Sequence, residues 1–297
     1  MHIDVGDGHR IYYEIHGARD GRPAVVLHGG PGGGLQRSAL RFFDLKQWRV
    51  VLFDQRGCGK STPFASTEHN TTWDLVADME LLRRAVAVER WTLFGGSWGT
   101  TLALAYASCH AKRVTAMVLR GVCLMERWEQ DWLYKEGGAS RIFPAEWAKF
   151  AAGAGQKAGT RKNLTAIYSR RLRDRRTRHA AAKAWWGWES AISTLKPQPD
   201  KTSTKQTETL AVLENHYFQH NAWIRPGQLL AAARRMKFPV MIVQGRYDMV
   251  CPAASAYALA GALPHASLTI THAGHAASEP ATAAALRAAT DHLKRQL

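Results

Sequence analysis

Cysteines are few in this 297-residue chain, and acidic side chains are outnumbered. The four cysteines, Cys58, Cys109, Cys123 and Cys251, lie far apart and form no C-x-x-C pair. That spacing argues against a disulfide framework and against a cysteine metal or redox centre. They read as free thiols, with Cys58 and Cys251 in turns near the expected reactive edge. No run approaches the roughly 18–20 apolar residues that span a bilayer, so no membrane partner is expected. The N-terminus, Met1-His2-Ile3-Asp4-Val5-Gly6-Asp7-Gly8, lacks the basic-then-apolar layout of a signal peptide, and a cytoplasmic location is expected by default. No His/Cys/Asp cluster shows metal-ligand spacing, so neither metal nor cofactor is expected.

The shortage of acids leaves a net charge of +16, which raises the question of a polyanionic partner. Its distribution argues otherwise. Ten Lys or Arg against one acid, Asp174, lie between Lys157 and Lys183, so +9 of the charge sits in one short segment. The cluster Arg170-Arg171-Leu172-Arg173-Asp174-Arg175-Arg176 has no interleaved aromatics to stack on bases. It reads as a solvated helix face, and no specific nucleic acid is expected.

What is abundant is alternation. Short runs rich in Val, Ile, Phe and Tyr predict strands near Arg10–His16, Ala24–His28, Arg49–Phe53, Trp91–Phe94, Val114–Leu119, Val240–Gln244 and Leu268–Thr271. A helix is predicted from Trp73 to Val88, capped by Thr71 or Thr72, and another from Pro280 to the C-terminus. Strands alternating with helices imply a mostly parallel sheet covered on both faces. The alternation stops after Gly121 and resumes near Phe238. Seven of the eleven tryptophans fall in that helix-prone gap, with Ala151–Gly155 read as a loop inside it. The implied organisation is an α/β core from residues 1–121 and 237–297, with a helical cap, 122–236, over the reactive edge.

The strongest motif is Gly95-Gly96-Ser97-Trp98-Gly99, set between the strand Trp91–Phe94 and the small-residue stretch Thr100–Ala107. A G-x-S-x-G sequence in a strand-turn-helix places serine on a strained turn, where only glycine fits nearby, and makes it a nucleophile. Such a serine needs a base and an acid that orients the base, in the chain order Ser, Asp or Glu, His. Asp248 lies in the turn after the strand at Val240, and His275 in the loop before the last helix. His272 and His265 rank below His275. Two backbone N–H groups must stabilise the oxyanion. Trp98 follows the nucleophile, and the run His28-Gly29-Gly30-Pro31-Gly32-Gly33-Gly34 supplies the second, assigned to Gly30. That run lacks the Lys-Ser/Thr ending of a phosphate-binding loop.

Taken with Asp54-Gln55-Arg56-Gly57-Cys58-Gly59-Lys60-Ser61-Thr62-Pro63, Gly245-Arg246-Tyr247-Asp248 and Ala273-Gly274-His275, these motifs make the chain resemble the prolyl iminopeptidases along nearly its whole length. The resemblance implies an α/β-hydrolase fold with a helical cap. It also implies a serine aminopeptidase that releases N-terminal proline from peptides through an acyl-enzyme, without a cofactor. It further points to Glu189 and Glu214 as the groups that bind the substrate amine. The residues agree for Glu189, which lies i+4 from Trp185 and i+3 from Trp186, so a helix sets its carboxylate beside aromatic surface. Esterases and amidases share such a fold, and they remain the rival enzymes; a silent binding protein would show a broken triad.

Overall fold

The computed structural model of the chain describes residues 1–157, 159–160, 162–197 and 202–296. Its strands are β1 His2–Gly6, β2 His9–Gly17, β3 Arg22–Leu27, β4 Trp48–Phe53, β5 Trp91–Gly96, β6 Val114–Arg120, β7 Val240–Gly245 and β8 Ser267–Thr271. The helices are α1 Thr72–Ala85, α2 Trp98–His110, α3 Arg127–Tyr134, α4 Pro144–Gly153, α5 Thr165–Arg173, α6 Arg178–Ile192, α7 Thr204–Gln219, α8 Gln228–Ala233, α9 Ala253–Ala262 and α10 Pro280–Gln296. The strands form one sheet in the order β1-β2-β4-β3-β5-β6-β7-β8. β1 and β2 are antiparallel to their neighbours, and the rest run parallel. This is the α/β-hydrolase architecture. No helix among the described residues is long and apolar enough to cross a membrane.

Every predicted strand is present within a few residues. β1 was not predicted. It holds only two apolar residues, Ile3 and Val5, and buries only Val5, so it carries no periodic signal of its own. α9 was also missed, because Ala253–Ala262 is apolar all round and shows no stripe. The Ala151–Gly155 run is not simply a loop: Ala151 to Gly153 end α4. At the start of α1, Thr71 accepts from the Asp74 N–H while Asp74 accepts from the Thr71 N–H, a capping box.

Parallel strands buried on both faces send alternate residues to two cores. Val25, Leu27 and Leu93 point into the core under α1, α2, α8 and α9, whereas Ala24, Val26 and Phe94 face α10 and the 3₁₀ turn Arg37–Phe42. A third core has its buried residues between β6 and β7, among them Tyr134, Trp147, Phe150, Tyr168, Trp185 and Trp188, with Met249 and Val250 from beyond β7 packed against it. Its rings stack closely, with Phe150 and Tyr168 centroids 4.6 Å apart and those of Tyr134 and Trp185 4.7 Å apart. The inserted segment is not a separate body throughout, since Tyr217, Ile224, Leu229 and Met236 join the core under α2. Arg170, Arg173, Arg175 and Arg176 are exposed on and just after α5; Arg161, counted in the basic segment, lies outside the described residues.

The loop after β4 is fixed to α1 by a buried ion pair. Arg56 Nε and Nη2 donate to the two carboxylate oxygens of Asp78, both at 2.7 Å. Asp78 is fully buried and Arg56 nearly so. Asp78→Asn removes the buried counter-charge and leaves that guanidinium only the half-exposed Asp7, 3.4 Å from Nη1, which costs about 3–5 kcal/mol. Urea unfolding should show a midpoint well below wild type; an unchanged midpoint would mean that other acceptors satisfy Arg56.

Candidate active site

Ser97 is held at φ 57° and ψ −126° between β5 and α2. A residue with a side chain adopts a positive φ only when its surroundings enforce it. Here they do. A Cβ at Gly99 would run into the Leu27 carbonyl, and one at Gly95 into the Gly99 carbonyl. The Ser97 N–H donates to Arg120 O at 2.8 Å, and both the N–H and hydroxyl of Thr100 donate to Ser97 O at 2.8 Å. The turn thus presents the hydroxyl at the carboxyl end of the sheet, above the N-terminus of α2. Trp98 opens that helix, at an end whose N–H groups have no intrahelical partners.

The fold brings Asp248 and His275 together, with His275 Nδ1 2.8 Å from Asp248 Oδ2. Asp248 Oδ1 accepts from the N–H groups of Val250 and Cys251 at 3.0 and 2.7 Å, and Oδ2 from Gln244 Nε2 at 3.1 Å. A carboxylate bonded through both oxygens in this way is held in one orientation. The histidine loop is pinned from the inserted segment, since the His275 N–H donates to Ser193 O at 2.9 Å. His272 and His265 are exposed.

Arg120 adds a feature the sequence reading missed. Its Nη1 lies 3.0 Å from His275 Nε2 and also donates to His275 O at 3.0 Å. A guanidinium only donates, so Nε2 is the acceptor and the neutral imidazole carries its proton on Nδ1, toward Asp248. Burial lowers the Arg120 pKa from its ordinary value. Ser97 Oγ lies 3.9 Å from Cys251 Sγ.

The glycine run after β3 packs directly on the serine: a Cβ at Gly29 would sit 3.4 Å from Ser97 Cβ. Gly30 takes φ 110°, closed to other residues, and a Cβ there would meet the Gly32 and Gly33 nitrogens at 2.6 and 2.7 Å. The Asp54–Pro63 motif braces this loop. Asp54 accepts from Leu35 N and Lys60 N at 2.6 and 2.9 Å. Gln55 accepts from Trp98 Nε1 at 2.9 Å and donates to His28 O at 3.1 Å. Cys58 is fully buried, and burial pushes its thiol well above the ordinary value, so it is inert; Cys251 and Cys123 instead line the cavity described next.

A cavity of about 700 Å³ opens over the serine and gathers Ser97, His275, Gly30, Trp98, Glu189 and Glu214. Asp248 stands behind His275. Glu189 on α6 and Glu214 on α7 are both buried and within hydrogen-bonding reach of each other. Tyr134 Oη donates to Glu189 Oε1, and Trp185 Nε1 donates to Glu214 Oε2 at 2.7 Å. Burial raises the Glu189 pKa to about 7. Glu214 is pushed well above the ordinary carboxyl value by burial first and the Glu189 charge second. Two buried carboxyls this close share a proton and invite a cation. Of the tryptophans in this segment, Trp185 and Trp188 serve its core, whereas Trp186 lines the cavity. The described residues contain no group of three or more His, Cys, Asp or Glu side chains able to hold a metal ion.

Signals for the missed residues were partly available. Arg120 and Gln244 are polar residues ending apolar strands, which marks a sheet's reactive edge. Tyr134 and Ser193 carried none, because their roles arise only from packing between distant segments.

The family model of the alpha/beta hydrolase fold matches residues 23–282. A proline iminopeptidase of Xylella fastidiosa is 48% identical over 97% of this chain and 94% of its own length. One from Neisseria gonorrhoeae is 42% identical over 100% and 96%, and one from Arabidopsis thaliana 43% over 98% and 79%. Among solved structures, an esterase from Exiguobacterium antarcticum superposes with a TM-score of 0.67 at 19% identity, covering 99% of this chain and 98% of that one. At that identity the likeness concerns the fold alone.

Proposed function

The chain belongs to the proline iminopeptidase family within the α/β-hydrolase fold, and from that premise we infer that it is a serine aminopeptidase releasing N-terminal proline from peptides. The observation that carries the reading at the site is one cavity holding a serine on a strained turn, a histidine bonded to a buried aspartate, and a paired buried carboxyl.

In this reading Ser97 Oγ attacks the carbonyl carbon of the N-terminal residue and passes its proton to His275 Nε2. The serine hydroxyl takes the place that Arg120 Nη1 occupies at Nε2 in the free protein. Asp248 keeps the imidazole oriented and stabilises its protonated form. The N–H groups of Gly30 and Trp98 receive the oxyanion. Collapse expels the leaving amine, which takes its proton from Nε2, and water then cleaves the prolyl ester by the same route. Glu189 and Glu214 bind the substrate ammonium and restrict cleavage to the first residue. Segment 122–236 serves as the cap that carries them, over a core of residues 1–121 and 237–297.

The test is hydrolysis of a prolyl-arylamide, with no release of proline from an internal position of a peptide. The basic segment plays no part in it. Replacing the exposed Arg170, Arg173, Arg175 and Arg176 by glutamine should leave kcat/KM within about twofold, as expected for solvated charges. Tight, salt-resistant binding of an oligonucleotide by the wild type would contradict the solvated-face reading.

Glu189 also sets a pH dependence of stability. Its ordinary value is 4.5 and its value in the fold is about 7, so folding takes up a proton between them. The favourable state is complete below pH 4.5 and is lost as pH rises toward 7. Glu189→Gln removes that loss, on the order of 3 kcal/mol. Thermal melts should show the variant more stable than wild type at about pH 8, with the gap closing toward about pH 5. Equal melting temperatures at both pH values would deny the buried-carboxyl account.

A further inference from the structure

The residues lining the cavity fall into two groups on either side of the serine, taken as two lobes, and only one group includes Glu189 and Glu214. The lobe under the inserted helices holds Glu189 and Glu214; the other runs past the serine toward the 3₁₀ turn Arg37–Phe42 and the loop after His275. The leaving amine must lie on the His275 side of Ser97, because it takes its proton from that imidazole. The rest of the substrate therefore extends into the second lobe, away from the glutamates.

That lobe presents one cationic head, Arg41, among Gln36, Ser38, Ala277 and Ser278. Arg41 Nη2 donates to Ala277 O at 3.2 Å, two residues beyond His275 and thus within about 7 Å of it along the chain. Its guanidinium carbon lies 4.9 Å from the centroid of the Phe42 ring, which backs the planar head, and among the described residues the Ala277 carbonyl is its one hydrogen-bond acceptor. The acids of neighbouring elements are already engaged: Glu14 with Arg37 at 2.5 Å and Asp44 with Lys294 at 3.1 Å. Arg41 forms no ion pair of its own among the described residues. A fork of donors without a counter-charge, at the end of the leaving-group path, matches a carboxylate.

We propose that Arg41 receives the C-terminal carboxylate of the leaving segment, so that the favoured substrates are short peptides with a free carboxylate. The proposal rests on the aminopeptidase reading above and extends it to the other side of the scissile bond. Glu189 and Glu214 meet the positive end of the substrate and Arg41 the negative end, and the distance between them sets the peptide length.

The experiment compares kcat/KM for Pro-Ala and Pro-Ala-Ala with their C-terminal amides, in the wild type, Arg41→Gln and Arg41→Lys. The wild type should prefer the free acid at one of the two lengths by about five- to tenfold, between an exposed ion pair and a forked one. Arg41→Gln should bring that ratio close to one, and Arg41→Lys should restore part of it. A second arm needs no variant: in about 0.5 M salt the wild-type ratio should shrink, because the contact is partly open to solvent. A wild-type ratio near one at both lengths, or a ratio that Arg41→Gln leaves intact, overturns the proposal. A wild type inert toward prolyl-arylamide overturns the aminopeptidase reading instead.

Discussion

Ser97→Ala should fold like the wild type and lose at least about four decades in kcat on a prolyl-arylamide. The fold is spared because alanine keeps the backbone and Cβ that already sit at φ 57°, and the Ser97 N–H still donates to Arg120 O. The chemistry is not spared, because no other group on the cavity wall stands at the nucleophile position. Cys251 Sγ is 3.9 Å away, but its thiol is pushed well above the ordinary value, first by its contact with Cys123 and then by burial. A thiol so held is no substitute thiolate. His275→Ala should cost a similar amount, and the double variant little more than either single one, since the two act as a unit. Circular dichroism and melting temperature check the fold, and initial rates check the chemistry. Near-wild-type turnover by Ser97→Ala would remove the nucleophile from this site. Losses that add in the double variant would mean that Ser97 and His275 act independently.

The parts of this site legible in the sequence are those whose chemistry is written locally. The G-x-S-x-G spacing is itself local, so the turn can be read directly, even though one of its glycines, Gly99, is required by the Leu27 carbonyl at the end of β3. The Asp248 turn and the His275 loop follow strands, and strand ends are where open parallel sheets place their functional groups. Strand β1 and helix α9 were missed for the opposite reason. One buries a single side chain and the other is apolar on every side, so neither has a periodicity to detect. The Arg120 contact with His275 joins residues 155 positions apart, and the Tyr134 contact with Glu189 joins residues 55 apart. No local pattern encodes such a meeting; it exists only once the inserted helices pack over the sheet. The outgoing end of the insertion blurs similarly, because Leu229 and Met236 are ordinary apolar residues that pack against α2.

Glu214→Gln and Glu189→Gln should each lower kcat/KM for prolyl-arylamide by one to two decades, while leaving reaction with a simple activated ester nearly intact. The magnitude follows from charge-assisted hydrogen bonds worth about 1.5–3 kcal/mol, at about 1.4 kcal/mol per decade. Glutamine keeps the size of the side chain and one acceptor, so the contacts from Tyr134 Oη and Trp185 Nε1 survive and the loss isolates the charge. The substrate amine, with an ordinary pKa near ~8, is mostly cationic at neutral pH. In the empty site the carboxyl pair resists full ionisation because burial opposes it. An arriving ammonium supplies the missing counter-charge, and the proton shared by the pair leaves. For wild type, kcat/KM on prolyl-arylamide should therefore fall as pH drops below about 7, where Glu189 takes up its proton. Glu189→Gln should flatten that limb. N-acetyl-prolyl-arylamide, whose nitrogen carries no charge, should be rejected by the wild type by a larger factor than by either glutamine variant. The capped substrate leaves the buried carboxyls unpaired in the wild type, whereas a glutamine accepts a neutral neighbour at less cost. Equal hydrolysis of capped and free substrates by the wild type would remove the amine-binding role of Glu189 and Glu214, leaving the serine, histidine and aspartate to a general amidase or esterase.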